Sequence, residues 1–311
     1  MRKTSLDCVH QLALEDDRVV FIGSDLGTGV LEVMKKEMPE RWFMEGVAEQ
    51  HIIGMAAGLA MEGFIPYVNT IATFLTRRCY EQLVVDICLQ RLPVRLIGNG
   101  GGVVYAPLGP THQAIDDLAI MRMIPNMTVV APCDADEMKR IMGKTLDWPD
   151  PIYIRLAKGG DQIISSNQDD FEIGKGIVLR EPGEVLFITT GVMSQRALAV
   201  SDVLGESNID CGVLHLHTIK PCDKALVIEK VSNVSLVVTL EEHQRNGGLG
   251  SIILEILADV NLSRSMPQII RIGIPDSFSE QYGSQDSLLR SWGLDVASIA
   301  TTVKEAIIGK A

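Results

Sequence analysis

The stretch VVFIGSDL, residues 19–26, sets a pattern that the rest of the chain repeats. An apolar run ends at a glycine, and a serine and an aspartate follow, which is typical of a buried strand that opens into a loop. After an amphipathic stretch at Glu49–Met61 comes a second apolar run, IPYVN, at residues 65–69. Strand, helix and strand in this order predict a parallel sheet with helices on its faces.

The same alternation continues through both halves of the chain. In the first half we predict strands at residues 19–23, 65–69, 94–98, 127–131 and 152–155, and helices at 29–36, 49–61, 73–90, 113–123 and 134–146. In the second half we predict strands at 185–190, 211–215, 236–240 and 269–272, and helices at 194–204, 223–231 and 249–260. Residues 157–183 are polar and rich in turn formers, as expected of a linker. The predicted fold class is α/β, with two doubly wound domains at residues 1–165 and 172–311.

Composition and charge narrow the range of functions. The chain has 311 residues, of which 46% are hydrophobic and 22% charged, as in globular proteins with substantial cores. A net charge of -12 argues against a nucleic-acid surface, because phosphate neutralisation needs clustered Lys and Arg. The N-terminus lacks the apolar core of a secretory signal, and no apolar run approaches the roughly 20 residues of a membrane-spanning helix. We therefore expect a soluble cytoplasmic protein whose ligands are small molecules or proteins.

The cysteines and glycine clusters do not form recognisable cofactor motifs. Six cysteines are scattered without a C-x-x-C pair or zinc-type spacing, so we expect free thiols. The clusters at residues 100–102 and 247–250 lack both the nucleotide-binding spacing and the acidic ligands of a hard cation. We predict that both are turns at which another segment approaches the backbone closely.

Several motifs follow the predicted strands in a fixed order. The first half contains GSDL at residues 23–26, EGVAEQH at 45–51, TFLTRRCYEQ at 73–82 and GPTHQ at 109–113. The second half contains KPCD at 220–223, EEH at 241–243 and GGLG at 247–250. The first set resembles the pyrimidine-binding domain of transketolases and of deoxyxylulose phosphate synthases, and the second resembles the C-terminal domain of the same group. The resemblance covers nearly the whole chain.

The resemblance implies a catalytic role for Glu49. Thiamine diphosphate acts when its thiazolium carbon loses a proton to the cofactor's own amino group. A carboxylic acid that hydrogen-bonds the aminopyrimidine ring nitrogen in an apolar pocket promotes the tautomer that this step needs. Without the flanking motif, Glu49 would be interpreted as a first-turn glutamate favoured by the helix dipole. His51, in the same helix, is expected to be buried, either in packing or beside the cofactor.

The resemblance also implies the other cofactor contacts. Phe74 and Arg77 lie three residues apart on a predicted helix face, so both are expected to reach the aminopyrimidine ring. Tyr80, one turn further, is expected to border the same pocket, and Asp25 and Leu26 to contact the cofactor after the first strand. The alternatives are core packing for the two aromatic residues and solvation for Arg77.

The substrate side is predicted from basic residues and one histidine. The resemblance implies that His112 meets the substrate and moves protons on its reacting oxygen, which suits an imidazole near neutral pH. Arg2 and Lys158 match positions where transketolases bind the substrate phosphate, and Arg155 is nearby. These residues predict an anionic sugar.

Other positions depart from the family pattern. Gly29 replaces a phosphate-binding serine, Gly100 a histidine of the catalytic pocket, and Leu108 an aspartate that reads the acceptor hydroxyl. These departures weigh against ordinary xylulose phosphate chemistry.

The chain lacks the family's diphosphate-binding motif. Full-length members hold the diphosphate through a divalent cation with a Gly-Asp-Gly run and a later Asn, and this sequence contains no Gly-Asp-Gly. We therefore predict no metal ligand here. The resemblance implies an N-terminal transketolase-type partner subunit that carries the diphosphate and Mg²⁺, an active site between the chains, and a heterotetramer.

Three functions are compatible with these residues. The leading hypothesis is a two-chain transketolase that moves a two-carbon ketol unit between sugars. The second is the beta subunit of a 2-oxo-acid decarboxylating enzyme or a deoxyxylulose phosphate synthase-like enzyme. The third is a non-catalytic family member, which the departures at Gly100 and Leu108 favour and the presence of Glu49 and His112 disfavours.

Overall fold

A computed structural model of the chain describes residues 1–26, 29, 31–165, 171–260 and 266–308. These residues form a seven-stranded sheet and a five-stranded sheet, with helices packed against them. The α/β fold predicted from the apolar runs is confirmed. No helix within the described ranges is long and apolar enough to cross a bilayer.

Most strands occupy the positions of the predicted apolar runs, but Trp42–Met44, Ile177–Arg180 and Thr218–Lys220 were not predicted, and Ile177–Arg180 lies within the predicted linker. The strands are β1 Val19–Gly23, β2 Trp42–Met44, β3 Ile65–Ile71, β4 Arg95–Asn99, β5 Thr128–Val130, β6 Ile152–Leu156, β7 Ile177–Arg180, β8 Val185–Thr189, β9 Cys211–His215, β10 Thr218–Lys220, β11 Leu236–Gln244 and β12 Gln268–Ile274. Strands β1, β3, β4 and β6 are buried along their whole length, as expected when both faces of a parallel sheet are covered.

The helices alternate with these strands. They are α1 Arg2–Glu15, α2 Glu32–Glu37, α3 Glu49–Met61, α4 Ala72–Thr76, α5 Tyr80–Gln82, α6 Asp117–Met123, α7 Ala135–Thr145, α8 Met193–Gly205, α9 Lys224–Val231, α10 Leu249–Ala258, α11 Gln285–Ser291 and α12 Val296–Ile308. A π-helical turn, Leu83–Cys88, follows α5, and 3-10 turns occur at Pro39–Arg41, Ala106–Leu108 and Pro110–His112.

The strand order shows which strands are neighbours in each of the two sheets. The first sheet runs β10, β5, β6, β4, β3, β1, β2, and the second runs β12, β11, β8, β9, β7. Neighbours are parallel except at two edges, where β10 pairs antiparallel with β5 and β7 with β9. Strand β10 comes from the second half of the chain but completes the first sheet, so the halves share backbone hydrogen bonds.

The predicted helix at residues 73–90 is wrong as one element. It is divided into α4, α5 and the π-helical turn, with residues 77–79 in a turn conformation. The thiol of Cys79 donates to the Phe74 carbonyl, 3.4 Å away, and satisfies an acceptor freed by the break. The break follows Arg77, whose backbone is still helical and whose amide donates to the Thr73 carbonyl at 3.1 Å.

Candidate active site

The carboxyl edge of the first sheet carries a buried polar network. Ser24 and Thr70 join their hydroxyls at 2.9 Å, and the Asn99 side chain donates to the Asn69 side-chain oxygen at 2.7 Å. Asn69 also donates to the Leu26 carbonyl at 3.3 Å. These bonds fix the loop after β1 beside the ends of β3 and β4. The side chain of Asp25 is exposed on this loop and accepts from Ser24 Oγ at 3.0 Å.

Glu49 begins α3 and is almost fully buried. Its side chain is 2% exposed, and its Oε2 lies 2.6 Å from Nη1 of Arg78. An isolated buried carboxylate is costly in free energy, so a partner at this distance is physically required when the group is ionised. Burial, assisted by the neighbouring Glu49 charge, raises the pKa of the Cys79 thiol to about 12. The thiol is therefore protonated near neutral pH.

Phe74 contacts both Arg78 and His112. The Arg78 guanidinium carbon lies 4.0 Å from the centroid of the Phe74 ring, within the range of a cation–π contact. On another side, the His112 ring meets Phe74 edge-on, with centroids 5.1 Å apart and planes at 66°. The structure thus brings together three of the predicted residues, Glu49, Phe74 and His112, with Arg78 joining the first two.

Arg77 faces a different way from the sequence-based expectation. Its guanidinium hydrogen-bonds Thr73 Oγ1 and the Gln113 carbonyl, and it lies 3.8 Å from a carboxylate oxygen of Asp116. Burial raises the pKa of Asp116, and the Arg77 charge offsets part of this effect. Arg77 therefore supports the His112 loop, whereas Arg78 covers Phe74. The expectation that Arg77 stacks on this ring does not match the geometry, because its guanidinium is engaged by Thr73 and Gln113.

Two further residues that were expected near the cofactor, Tyr80 and His51, are exposed. Tyr80 is 37% exposed. His51, expected to be buried, is 64% exposed, with Nε2 3.8 Å from a Glu45 carboxylate oxygen, so that expectation is wrong.

The loop that carries His112 is held by the second half of the chain. The Ser279 hydroxyl donates to the Gln113 side-chain oxygen at 2.9 Å in a buried contact. A Cβ atom on Gly109, which has φ +79, would lie 2.6 Å from the ring of Tyr282. His112 itself receives or donates a hydrogen bond between Nδ1 and Thr111 Oγ1 at 2.9 Å, depending on the imidazole tautomer.

Arg2 and Lys158, predicted to bind the substrate anion, line one cavity of about 320 Å³. The cavity also contains Gly100 and Leu108, two of the positions that depart from the family pattern. The charged pair and the substituted positions therefore belong to one site. An anion bound in this cavity would lie near the positive charges of Arg2 and Lys158 and beside apolar side chains such as Leu108.

Each residue of the glycine run at 100–102 faces a different side chain. A Cβ atom on Gly100 would lie 2.1 Å from the Tyr105 ring, one on Gly101 would lie 2.5 Å from Arg155 Nε, and one on Gly102 would lie 2.5 Å from Glu242. Gly100 also has φ +76, which favours glycine. The predicted close approach is confirmed for this cluster. Tyr105 fills the space beside Gly100, the position at which the resemblance implies a histidine.

Arg155 is buried beneath this loop. Its side chain is 8% exposed, and its Nε lies 2.9 Å from Asp117 Oδ2. The Nη2 atom donates to the carbonyls of Ala114 at 3.1 Å and Glu242 at 2.8 Å. These donors link β6 to the second half of the chain. This placement does not favour the predicted contact of Arg155 with substrate.

One group of potential metal ligands occurs within the described ranges. Cys133, Glu137 and His215 place ligand atoms within 4.8 Å of one another, all buried. The His215 imidazole is engaged on both sides, by Glu137 Oε2 at 2.9 Å and Ser194 Oγ at 2.8 Å. A thiol and an imidazole do not suit Mg²⁺, which prefers oxygen ligands. The group is therefore a structural network and not a diphosphate metal site.

Family models match both halves of the chain. The transketolase pyrimidine binding domain matches residues 1–160, and the transketolase C-terminal domain matches residues 174–299. The chain belongs to the transketolase family. The resemblance inferred from the motifs is confirmed, and the transketolase family is thiamine diphosphate-dependent.

Individual relatives cover the chain almost completely. A 1-deoxy-D-xylulose-5-phosphate synthase of Syntrophotalea carbinolica is 40% identical over 298 residues, which is 94% of this chain and 46% of that protein. The 6-deoxy-6-sulfo-D-fructose transketolase subunit of Clostridium sp. (strain MSTE9) is 34% identical over 98% of this chain and 94% of that protein. A solved structure described as a split gene transketolase, inactive beta4 tetramer, has a TM-score of 0.87 at 33% identity and covers 99% of this chain and 97% of that chain. The chain spans about half the length of the synthases that it matches.

The residues of this transketolase-family chain fit the aminopyrimidine half of thiamine diphosphate. A planar, delocalised cation, the Arg78 guanidinium, already lies over Phe74 and bonds the Glu49 carboxylate. A planar aminopyrimidine ring requires the same two partners as this guanidinium, an aromatic ring to stack on and a carboxyl group to hydrogen-bond. The chemistry of the site therefore fits the aminopyrimidine, whereas the ligand group at Cys133 does not fit the diphosphate cation.

Proposed function

We propose that the chain is the pyrimidine-binding subunit of a two-chain transketolase, which transfers a two-carbon ketol unit between sugars. The observation that carries this proposal is the cluster of Glu49, Phe74 and His112 at the carboxyl edge of the first sheet. Parallel α/β sheets bind their ligands at this edge. The shared fold of the split gene transketolase structure supports the same assignment.

In this proposal the chain binds and orients the aminopyrimidine half of the cofactor. Thiamine diphosphate, when bound, supplies a nucleophilic carbon for cleavage and formation of the carbon–carbon bond. Glu49 holds a proton against the ring nitrogen, and Phe74 packs against the ring plane. Asp25, Leu26 and Tyr80 border this half.

His112 performs the proton transfers on the substrate side. Its ring contacts Phe74, the residue that packs against the cofactor ring in this proposal. A neutral imidazole is suited to accept a proton from a substrate hydroxyl and to return it. Arg77 supports this role by bonding the Gln113 carbonyl next to His112.

The substrate in this proposal is an anionic sugar. Arg2 and Lys158 supply two positive charges to one cavity, which favours a phosphate or sulfonate group. One relative is named for a 6-deoxy-6-sulfo-D-fructose, which is a sugar of this charge type. Leu108 replaces the polar reader of an acceptor hydroxyl, so we propose an acceptor that differs from that of ordinary transketolases.

The diphosphate and its Mg²⁺ are assigned to a partner subunit. This sequence lacks Gly-Asp-Gly, and the chain matches about half the length of longer relatives. We propose an N-terminal transketolase-type chain that completes the site, in a cytoplasmic heterotetramer. A neighbouring reading frame that encodes Gly-Asp-Gly and a later Asn identifies the partner to be tested.

The decisive experiment uses Glu49→Gln with this partner. We expect exchange of the thiazolium proton for deuterium, followed by proton NMR, to slow by about 100-fold or more, which is typical for loss of a positioned acid or base. Glu45→Gln is the control, because it removes an exposed carboxylate from the same motif. Sedimentation verifies that each complex still assembles. Unchanged exchange in Glu49→Gln would refute the catalytic assignment.

A deoxyxylulose phosphate synthase-like reaction is the second candidate. It is favoured by the 40% identity to a synthase. The products separate the two: release of carbon dioxide from pyruvate supports the synthase-like reaction, whereas sugar-to-sugar transfer without gas supports the transketolase.

A further inference from the structure

Arg78 makes both of the contacts that the aminopyrimidine needs. Its Nη1 donates to Glu49 Oε2 at 2.6 Å, and its guanidinium carbon lies 4.0 Å from the Phe74 centroid. Among the side chains that the structure describes, Arg78 is the one that hydrogen-bonds the Glu49 carboxylate. The two contacts define a narrow space between an aromatic ring and a buried carboxyl.

The guanidinium and the aminopyrimidine match in shape and bonding. Each is planar with delocalised nitrogen atoms, each stacks on an aromatic ring, and each presents a nitrogen to a carboxyl group. A ring that stacks on this side of Phe74 and reaches Glu49 must occupy the space of the guanidinium. Because close-packed groups exclude one another, both cannot be present at once.

Arg78 is able to leave without disturbing the core. Its side chain is 40% exposed, whereas the Glu49 side chain is 2% exposed. The residue lies in the turn at residues 77–79 and not within a helix, so its long side chain has an open path to solvent. Glu49, by contrast, is fixed in the first turn of α3.

We propose that Arg78 occupies the aminopyrimidine position in the free chain and is displaced when the cofactor binds. This inference rests on the proposed function. Arg78 neutralises the buried Glu49 until the cofactor arrives, and it lowers affinity for the cofactor because its ion pair and ring contact must first be broken. Arg78 is thus a positioning residue that governs entry to the site.

The proposal predicts tighter binding when Arg78 is shortened. The test measures binding of thiamine to the purified full chain by isothermal titration calorimetry, since thiamine carries the aminopyrimidine but requires no metal. We expect Arg78→Gln to bind thiamine about tenfold more tightly than wild type, because the incoming ring no longer has to displace the guanidinium from Phe74 and Glu49. Arg180→Gln is a matched control. Arg180 is 37% exposed and pairs with Asp202 at 2.7 Å, far along the chain from this site.

Nitrogen NMR of the arginine side chains provides a second measurement on wild type. We expect a restrained, hydrogen-bonded Arg78 guanidinium in the free chain, assigned from its absence in Arg78→Gln or Arg78→Lys. Its signals should move to those of a solvated arginine as thiamine is added. This measurement remains informative if Arg78→Gln folds poorly.

The possible outcomes separate the two proposals. Tighter binding by Arg78→Gln with an unchanged control supports displacement. Equal or weaker binding, or an Arg78 guanidinium that stays restrained in saturating thiamine, overturns displacement while leaving the cofactor assignment intact. No thiamine binding by wild type or any variant overturns displacement together with the assignment of the aminopyrimidine to this chain.

Discussion

Replacing Arg155 with methionine tests whether this arginine is structural or binds substrate. The substitution removes the partner of Asp117, whose side chain is fully buried. It also removes the donor to the carbonyls of Ala114 and Glu242. Methionine keeps much of the side-chain volume, so the change mainly affects charge and hydrogen bonding.

The ion pair and the hydrogen bonds of Arg155 give the expected magnitude. Removing one partner of a buried ion pair costs about 3–5 kcal/mol, because the other charge is left in a low-dielectric interior. Each carbonyl deprived of its donor adds about 1 kcal/mol. The Tyr153 hydroxyl still donates to Asp117 at 2.7 Å, which limits the destabilisation. We expect a total of about 4–6 kcal/mol, a large fraction of the usual stability of a domain.

Urea denaturation followed by circular dichroism measures this destabilisation. Arg180→Met serves as the control, because its exposed ion pair is expected to contribute about 1 kcal/mol or less. Arg155→Lys retains the charge and is expected to lie between wild type and Arg155→Met, which keeps the series measurable if the methionine variant does not fold. A destabilisation below about 1 kcal/mol, equal to that of the control, would refute the structural role. Weakened substrate binding at unchanged stability would instead restore the sequence-based prediction.

Other predictions concern the cavity and the buried histidine. Gly100→Ala is expected to lower the free energy of unfolding, measured by urea denaturation, by about 2–4 kcal/mol, because Gly100 has a positive φ and an added Cβ would overlap with Tyr105. Adding Tyr105→Ala to this variant should recover part of the lost stability. Replacing Arg2 and Lys158 with glutamine should weaken the binding of inorganic phosphate to the assembled enzyme by about tenfold for each charge removed. Phosphorus NMR measures this binding, and unchanged binding would exclude this anion site. Burial lowers the pKa of His217 from 6.5 to about 4. The unfolded state therefore binds the extra proton first, so the stability from this group is complete above pH 6.5 and falls by about 3 kcal/mol as the pH approaches 4. His217→Gln should flatten that part of the denaturation profile, and an unchanged profile would contradict the assignment.

Much of the fold was predictable because apolar runs report burial directly. Strand β1 and helix α3 begin and end at the predicted residues. Gly23 marks the end of the strand, and small residues are spaced along the helix. Strand β10 was missed because Thr218–Lys220 has little apolar sequence, and its pairing depends on a strand from the other half of the chain. Short edge strands are set by tertiary contacts that periodicity does not encode.

The site was predictable where a motif fixes local geometry. Glu49, Phe74 and His112 were proposed from their motifs and lie in one cluster, although their functions stay predictions. Arg78 was missed because only the i and i+3 pair was considered, although residue 78 lies at the i+4 position from Phe74, which a helix also places on the same face. The adjacent arginine pair was the available signal, since the positions i+3 and i+4 from Phe74 both lie near its ring on a regular helix.

The position of Arg155 illustrates a different limit. Its sequence neighbours suggested a basic residue at a ligand site, but its acceptor Glu242 lies 87 residues away. A charge alone does not reveal whether it is solvated or enclosed, because the deciding contacts come from distant segments.

Because strand β10 belongs to the sheet of the first half, the two halves of the chain are not expected to fold well when they are produced separately. A fragment that stops at residue 160 would lack Thr218–Lys220 and would leave the outer side of β5 with unpaired amide and carbonyl groups. Such an open edge is a template for self-association, and two fragments or two intact chains brought together during refolding have an obvious route to exchange this strand. Expression of either half alone should therefore yield aggregates or strand-swapped dimers more readily than a well-behaved monomer.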